Sequence, residues 1–116
     1  FAAAERTLDA LGVAGLALAS RAGRASSLVA LGRVEEARAL IGPVLDAVHA
    51  DDLGGAHPEP VWLAALRVLD AADDPAAGPF RAEVLRRVEE RARRVGAAVE
   101  PEYRRAPAVR ALVDGG

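Results

Sequence analysis

With 116 residues, no cysteine and a formal net charge of −2, the chain is long enough for one compact domain, too short for two, and free of disulfides and thiolate metal sites. Ala, Leu and Val make up most of its 52% of apolar residues, and such side chains favour packed helices over β-sheets. We therefore predict an all-α fold and, since nothing indicates an oxidising compartment, a cytoplasmic protein.

The beginning of the chain carries neither an initiator Met nor the pattern of a secretory signal. No Met occurs anywhere and the first residue is Phe1, so we expect a piece of a larger protein whose other domains lie upstream. Glu5, Arg6 and Asp9 interrupt any signal core. The longest apolar stretch, Leu11 to Ser20, is about half the roughly 20 residues that a membrane span needs. All fifteen basic residues are Arg, a usage typical of GC-rich bacterial genomes.

The first predicted hairpin spans about residues 16–50. The helical pattern that precedes it is weakened by Gly12 and Gly15, where we expect a first helix to end. A second helix follows to Leu31, and Gly32 then stops it, as a Gly just past the last periodic residue usually does.

The second half of this hairpin starts at Val34, with Glu35 and Glu36 in the first turn, where the helix dipole favours acidic residues. Its apolar stripe continues to Val48. Pro43 lies inside the pattern and should kink the helix or mark a close approach by a neighbouring element.

The second predicted hairpin spans about residues 60–98. One helix is expected over residues 60–72, and a longer one over residues 80–98 after a turn at 73–79. A closing segment at about residues 100–113 completes a total of about five to six helices.

Residues 28–40 resemble a tetratricopeptide repeat (TPR). In that family a large apolar residue, a turn Gly and a small Ala recur at fixed spacing, and here Leu28, Gly32 and Ala37 match them. Asp73 replaces the turn Gly in the second hairpin, 41 residues further on. The resemblance implies antiparallel hairpins stacked as a short TPR-like α-solenoid. The closing segment resembles the carboxy-terminal end of TPR regions in large bacterial multidomain signalling and transcriptional regulators.

The resemblance also implies a concave groove, lined by the first helices of successive hairpins, that holds a protein or peptide partner or the upstream domain. In this register the groove residues are Ala22, Ser26, Val29, Leu63, Arg67 and Asp70. Arg67 and Asp70 would supply polar recognition beside an apolar floor. The predicted function is a non-catalytic protein-interaction scaffold that needs no cofactor.

No pattern in the sequence predicts a catalytic or metal site. His49 and His57 stand near acidic residues, but their spacing matches no metal-ligand motif. The hydroxyl residues have no His in a recognisable partner motif, and Gly54-Gly55 lacks the Lys of a phosphate-binding loop.

Two other functions stay open, a nucleic-acid contact and a structural cap on an upstream domain. Residues 81–110 contain nine Arg against five acidic residues, and Arg87, Arg91 and Arg94 share one face of the Arg-rich helix predicted within 81–105. Against phosphate binding, the same stretch contains i, i+4 pairs that are typical of a solvated helix face. These pairs are Glu83–Arg87, Glu89–Arg93 and Glu90–Arg94.

Overall fold

The structure, a computed structural model, describes the backbone of residues 2–54 and 56–114 and the side chains from residue 15 onward. All regular structure in these ranges is α-helical, which confirms the predicted all-α fold of five to six helices. The helices are α1 (Ala2–Ala30), α2 (Val34–His49), α3 (Pro58–Ala71), α4 (Ala77–Arg94), α5 (Glu100–Arg105) and α6 (Pro107–Val113). None of the described helices is both long and apolar enough to cross a bilayer.

The first helix is continuous, so the predicted break at Gly12 and Gly15 is wrong. A Gly inside a helix is less favourable than Ala by only about 1 kcal/mol, which a helix of 29 residues tolerates. Gly15 also has a packing role, because a Cβ atom built on it would lie 2.1 Å from the carbonyl oxygen of Gly54 in the α2–α3 loop. The glycine thus allows α1 to contact that loop directly.

The turn between α1 and α2 follows the prediction. Gly32 adopts a φ of +78°, which only glycine takes without strain. The Arg33 N–H donates to the carbonyl of Leu28 at 2.8 Å and satisfies one of the free carbonyls at the end of α1. The second helix then starts at Val34, as predicted, and runs through Pro43.

The second hairpin is formed by α3 and α4, and its bounds differ from the prediction at α4. This helix begins at Ala77, after the Ala76 N–H has donated to the Asp74 carboxylate at 2.8 Å. It ends at Arg94 and not near residue 98, because Gly96 turns the chain with a φ of +85°. The closing segment forms two short helices, separated at Ala106, which has a ψ of 136°.

The core surrounds α3. This helix is apolar on nearly all sides, with only Arg67 and Asp70 as charged residues between Val61 and Ala71, and it packs against α1, α2, α4 and α6. Its largest fully buried side chains are Leu66 and Leu69. The molecule measures 47 × 39 × 21 Å, and the shortest dimension corresponds to about two helix diameters. Only a narrow strip of α3, at Pro60, Arg67 and Ala71, remains exposed between its neighbours.

Candidate partner-binding groove

A groove of about 420 Å³ lies over α3, between α1 and α6. Both outer helices pack against α3, and no contact between α1 and α6 occurs in the described part of the chain. The floor is formed by Pro60, Val61, Leu63, Ala64 and Arg67 of α3. The walls are Ala19, Ala22, Gly23 and Ser26 of α1 and Pro107, Ala108 and Ala111 of α6.

The walls of this groove consist of small residues on both sides. Helices that pack closely, with axes about 8–10 Å apart, need such residues where their backbones pass. On α1 the small residues recur at spacings of three and four, so they share one helix face. The groove therefore has the lining that a further helix would need in order to pack on α3.

Arg67 supplies the charge of the groove. Its side chain is exposed, and no carboxylate within the described ranges lies within 4.0 Å of it. The other lining residues are apolar except for Ser26. A ligand for this surface should accordingly be apolar along most of its length and carry one negative group.

Four of the six groove residues predicted from the sequence lie together in this groove: Ala22, Ser26, Leu63 and Arg67. Val29 does not line it, and its side chain packs against the core instead. Asp70 also lies outside, where its carboxylate forms an ion pair with Arg81 of α4. Arg67 and Asp70 therefore do not act together as the predicted recognition pair, because Asp70 is already paired with Arg81.

The α6 wall was missed by the sequence-based prediction, which treated this segment only as a closing helix. Its signal is present in the sequence: Val109 and Leu112 are apolar at a spacing of three, and both are buried. When these two side chains pack inward, Ala108 and Ala111 are left beside them on the groove.

A second, more polar cavity of about 210 Å³ lies beside α4. Arg87, Arg91 and Arg94 line it together, as their spacing predicts. Two of the three are already engaged: Arg87 donates to Glu83 at 2.9 Å and to the Val48 carbonyl at 2.8 Å, and Arg91 forms an ion pair with Glu59. Phosphates would have to compete with these internal acceptors.

The ion pairs along α4 differ in part from the predicted set. The Glu83–Arg87 pair forms, and Arg86 joins it. Glu89 and Glu90, in contrast, do not pair with Arg93 and Arg94. Glu89 binds Arg104 of α5 with two hydrogen bonds of 3.0 Å, and Glu90 pairs with Arg86. The bidentate geometry of Arg104 explains the preference, because two parallel hydrogen bonds bind a carboxylate better than one flexible contact. This contact holds the pKa of Glu89 below its ordinary value.

Glu59 is the buried charged residue of the described side chains, at 9% exposure. It lies in the first turn of α3, pairs with Arg91 of α4 and accepts a hydrogen bond of 3.3 Å from the Tyr103 hydroxyl of α5. Burial, and then the negative charge of Glu59, raise the pKa of Tyr103. The cluster joins three helices through an ion pair and one hydrogen bond, although the buried Nε of Arg91 makes no hydrogen bond of good geometry.

The two histidines do not approach a metal-binding arrangement. The ring of His49 packs edge-on against Phe80, with centroids 6.2 Å apart, and His57 precedes α3 as an exposed N-cap residue. In the described part of the chain, no group of three or more His, Cys, Asp or Glu side chains is placed to hold a metal ion.

No protein-family model, curated protein or solved structure matches the chain. The resemblance of residues 28–40 to a TPR motif therefore stays a prediction.

Proposed function

We propose that the chain is a non-catalytic protein-interaction domain that binds an amphipathic helix of a partner protein in the groove between α1 and α6. One observation carries the proposal: α1 and α6 flank α3 without contacting each other in the described part of the chain, and the space between them is lined by small side chains. A helix in this space would cover the exposed apolar surface of Ala19, Pro60 and Pro107, beside the buried floor of α3.

The charge of Arg67 defines the partner further. This guanidinium has no carboxylate partner among the described residues, which favours a partner helix with Asp or Glu at the matching position. The remaining contact positions of that helix should be aliphatic or small, because Ala and Gly line the walls. The inferred ligand is a mostly apolar helix face with one acidic residue.

The biological setting that we propose is the one suggested by the TPR-like motif at Leu28, Gly32 and Ala37. The chain would be the C-terminal part of a larger bacterial signalling or transcriptional regulator, and the partner a second protein or the upstream domain of the same chain. The Arg-rich helix supports a nucleic-acid function less well, because four of the six arginines of α4 pair with carboxylates of the described residues and only Arg93 and Arg94 do not. The four are Arg81, Arg86, Arg87 and Arg91.

A displayed library of helical peptides, randomised along one face, tests the proposal without knowledge of the natural partner. We expect selected peptides to carry an acidic residue at a constant offset from aliphatic ones. Their NMR chemical-shift changes should map to Ser26, Ala108 and Ala111. Peptides that map to another surface, or no enrichment at all, would contradict the proposal.

Two variants sharpen this experiment. Ala108→Trp should fill the groove and weaken binding of a selected peptide about tenfold or more, whereas Ala82→Trp on the exposed face of α4 should leave binding unchanged. Arg67→Glu should weaken binding of the same peptide. Replacing the acidic residue of the peptide by Arg should then restore binding to this variant. Equal binding to all variants would rule out the groove.

A further inference from the structure

The small polar cavity beside α4 contains a hydrogen-bond donor that has no acceptor. Trp62 of α3 lines this cavity of about 210 Å³ and is 3% exposed. Its indole Nε1 atom is buried and has no hydrogen-bond partner among the described residues. An unpaired buried N–H destabilises a fold, so it indicates an acceptor that the described residues do not supply. The space lined by Trp62, Arg87, Arg91 and Arg94 is called the Trp62 cavity below.

Arg94 brings a positive charge without an ion-pair partner to the Trp62 cavity. The other three arginines of the lining each pair with a glutamate. Arg94 is exposed and forms no ion pair within the described ranges. A water molecule could accept the indole N–H, but only an anion would also pair with this guanidinium.

Arg87 contributes a donor that is already held in place. Its side chain is 17% exposed, its Nε atom donates to Glu83 at 2.9 Å, and its Nη1 atom donates to the Val48 carbonyl at 2.8 Å. The Nη2 atom makes no hydrogen bond within the described residues. Because two hydrogen bonds fix the guanidinium, the remaining nitrogen can bind a ligand at a small cost in side-chain entropy.

The acidic residues of the lining limit the charge that a ligand can carry. Asp51 and Glu90 also line the Trp62 cavity, and Asp51 forms no ion pair in the described part of the chain. One negative charge can pair with Arg94, whereas a second one would be repelled by these carboxylates. The volume corresponds to roughly seven water molecules at about 30 Å³ each. The cavity thus suits a small group with two acceptor atoms and one negative charge, which describes a carboxylate.

We propose that the Trp62 cavity binds a carboxylate group, with Arg94 as its ion-pair partner and the indole N–H of Trp62 as a further donor. Arg86 and Arg94 are exposed, so their side chains can adjust to admit a carboxylate oxygen to the buried indole. The site goes beyond the helix-binding groove and shares no lining residue with it. Either proposal can therefore fail while the other holds.

The indole N–H of Trp62 reports on its own acceptor in an NMR titration. Trp62 is the one tryptophan of the chain, so its side-chain N–H signal needs no assignment. We expect sodium acetate, added at constant ionic strength, to shift this signal along a saturable curve, because the indole gains a hydrogen bond. A signal that does not move, or that moves linearly without saturation, would overturn the proposal.

Three variants locate the bound acetate. Arg94→Gln should raise its dissociation constant about tenfold, since a charged hydrogen-bond partner is lost. Arg93→Gln is the matched control, because Arg93 is the exposed neighbour, does not line the cavity and carries the same charge. Asp51→Asn should lower the constant about twofold or more, because it removes a repelling charge. Equal effects of Arg94→Gln and Arg93→Gln would mean non-specific attraction and refute the site.

Two further probes define the ligand. Inorganic phosphate should bind no more tightly than acetate, because Asp51 and Glu90 oppose its additional charge. Tighter binding of phosphate would refute the assignment to a carboxylate. N-acetylglycine, which mimics the carboxy-terminal end of a peptide, separates the two sources of this group. Tighter binding than acetate would support a chain terminus as the ligand, and equal or weaker binding would support a free small acid.

Discussion

Gly15 of α1 faces the carbonyl oxygen of Gly54 so closely that a Cβ atom on Gly15 would lie 2.1 Å from that oxygen and 3.2 Å from the Ala56 nitrogen. Both neighbours are backbone atoms, which cannot rotate away as a side chain can. The contact fixes the α2–α3 loop against the first helix, and α3, which forms the floor of the groove, begins directly after this loop.

Replacing Gly15 by Ala should therefore lower the free energy of unfolding by about 1–3 kcal/mol, since the loop or the helix must move to accommodate the methyl group. The matched control is Gly23→Ala in the same helix, where a Cβ atom would meet nothing within 4 Å. That variant should be more stable than wild type by up to about 1 kcal/mol, because Ala has the higher helix propensity. Urea unfolding measures both, and equal effects at the two positions would contradict the close approach.

The stability of the chain should depend on pH through Glu83. Hydrogen bonds from Arg86 and then Arg87 hold the pKa of this carboxyl at about 2, below its ordinary value of 4.5. Because the pKa is lower in the folded state, the ionised carboxylate stabilises the fold above pH 4.5. This contribution disappears as the pH falls from 4.5 towards 2.

Unfolding free energies of Glu83→Gln, measured across this pH window, should fall less steeply than those of wild type. Glu102→Gln serves as the control, because Glu102 is exposed and makes no ion pair within the described residues. A Glu83→Gln profile parallel to that of wild type would argue against the contribution of Glu83.

The buried Glu59 should be sensitive to loss of its charge. Glu59→Gln leaves Arg91 without its carboxylate, and since Arg91 is partly exposed we expect a loss of about 1–3 kcal/mol in unfolding free energy. Tyr103→Phe removes only one hydrogen bond to the same carboxylate and should be less stable by about 1 kcal/mol. The double variant Glu59→Gln with Arg91→Gln should lose less unfolding free energy than the sum of the two single variants. Chemical denaturation of the double-mutant cycle measures this coupling. Strictly additive losses would mean that the two side chains are not coupled.

Because α3 lies at the centre of the core, shortening one of its buried side chains should lower the free energy of unfolding strongly. Leu66 is 1% exposed, so Leu66→Ala should lower the free energy of unfolding by about 2–5 kcal/mol. Val99→Ala, at 47% exposure in the α4–α5 turn, should change it by less than about 0.5 kcal/mol. Thermal and denaturant unfolding measure both variants. A small effect at Leu66 would show that α3 is not the centre of the core.

The helices with regular spacing and a local stop signal could be predicted from the sequence. The α1–α2 turn at Gly32 and the start of α2 at Val34 both agree with the structure, because a positive φ at glycine is a local property. The end of α4 was placed too late, since Val95 and Val99 continue the apolar spacing of the helix. In the structure Gly96 turns the chain and both valines are exposed. Spacing alone cannot tell whether an apolar residue finds a partner.

The groove could be predicted only in part for a related reason. Ala22, Ser26, Leu63 and Arg67 follow from the helix faces of α1 and α3, which local periodicity determines. Asp70 forms an ion pair with Arg81 of α4, and α6 supplies one wall of the groove. Both features depend on how separate helices pack against each other. These are long-range contacts, and no local pattern in one helix contains them.

The absence of contact between α1 and α6 in the described part of the chain means that two independent packing interfaces set the width of the groove. Replacing Val109 or Leu112, the buried residues of α6, by larger or smaller side chains would shift the α6 wall. The α1 wall would stay in place, because Ala22 and Ala25 hold it against the core. The proposed helix-binding groove could thus be made wider or narrower by changing residues outside its lining, which is a convenient property for engineering binding specificity.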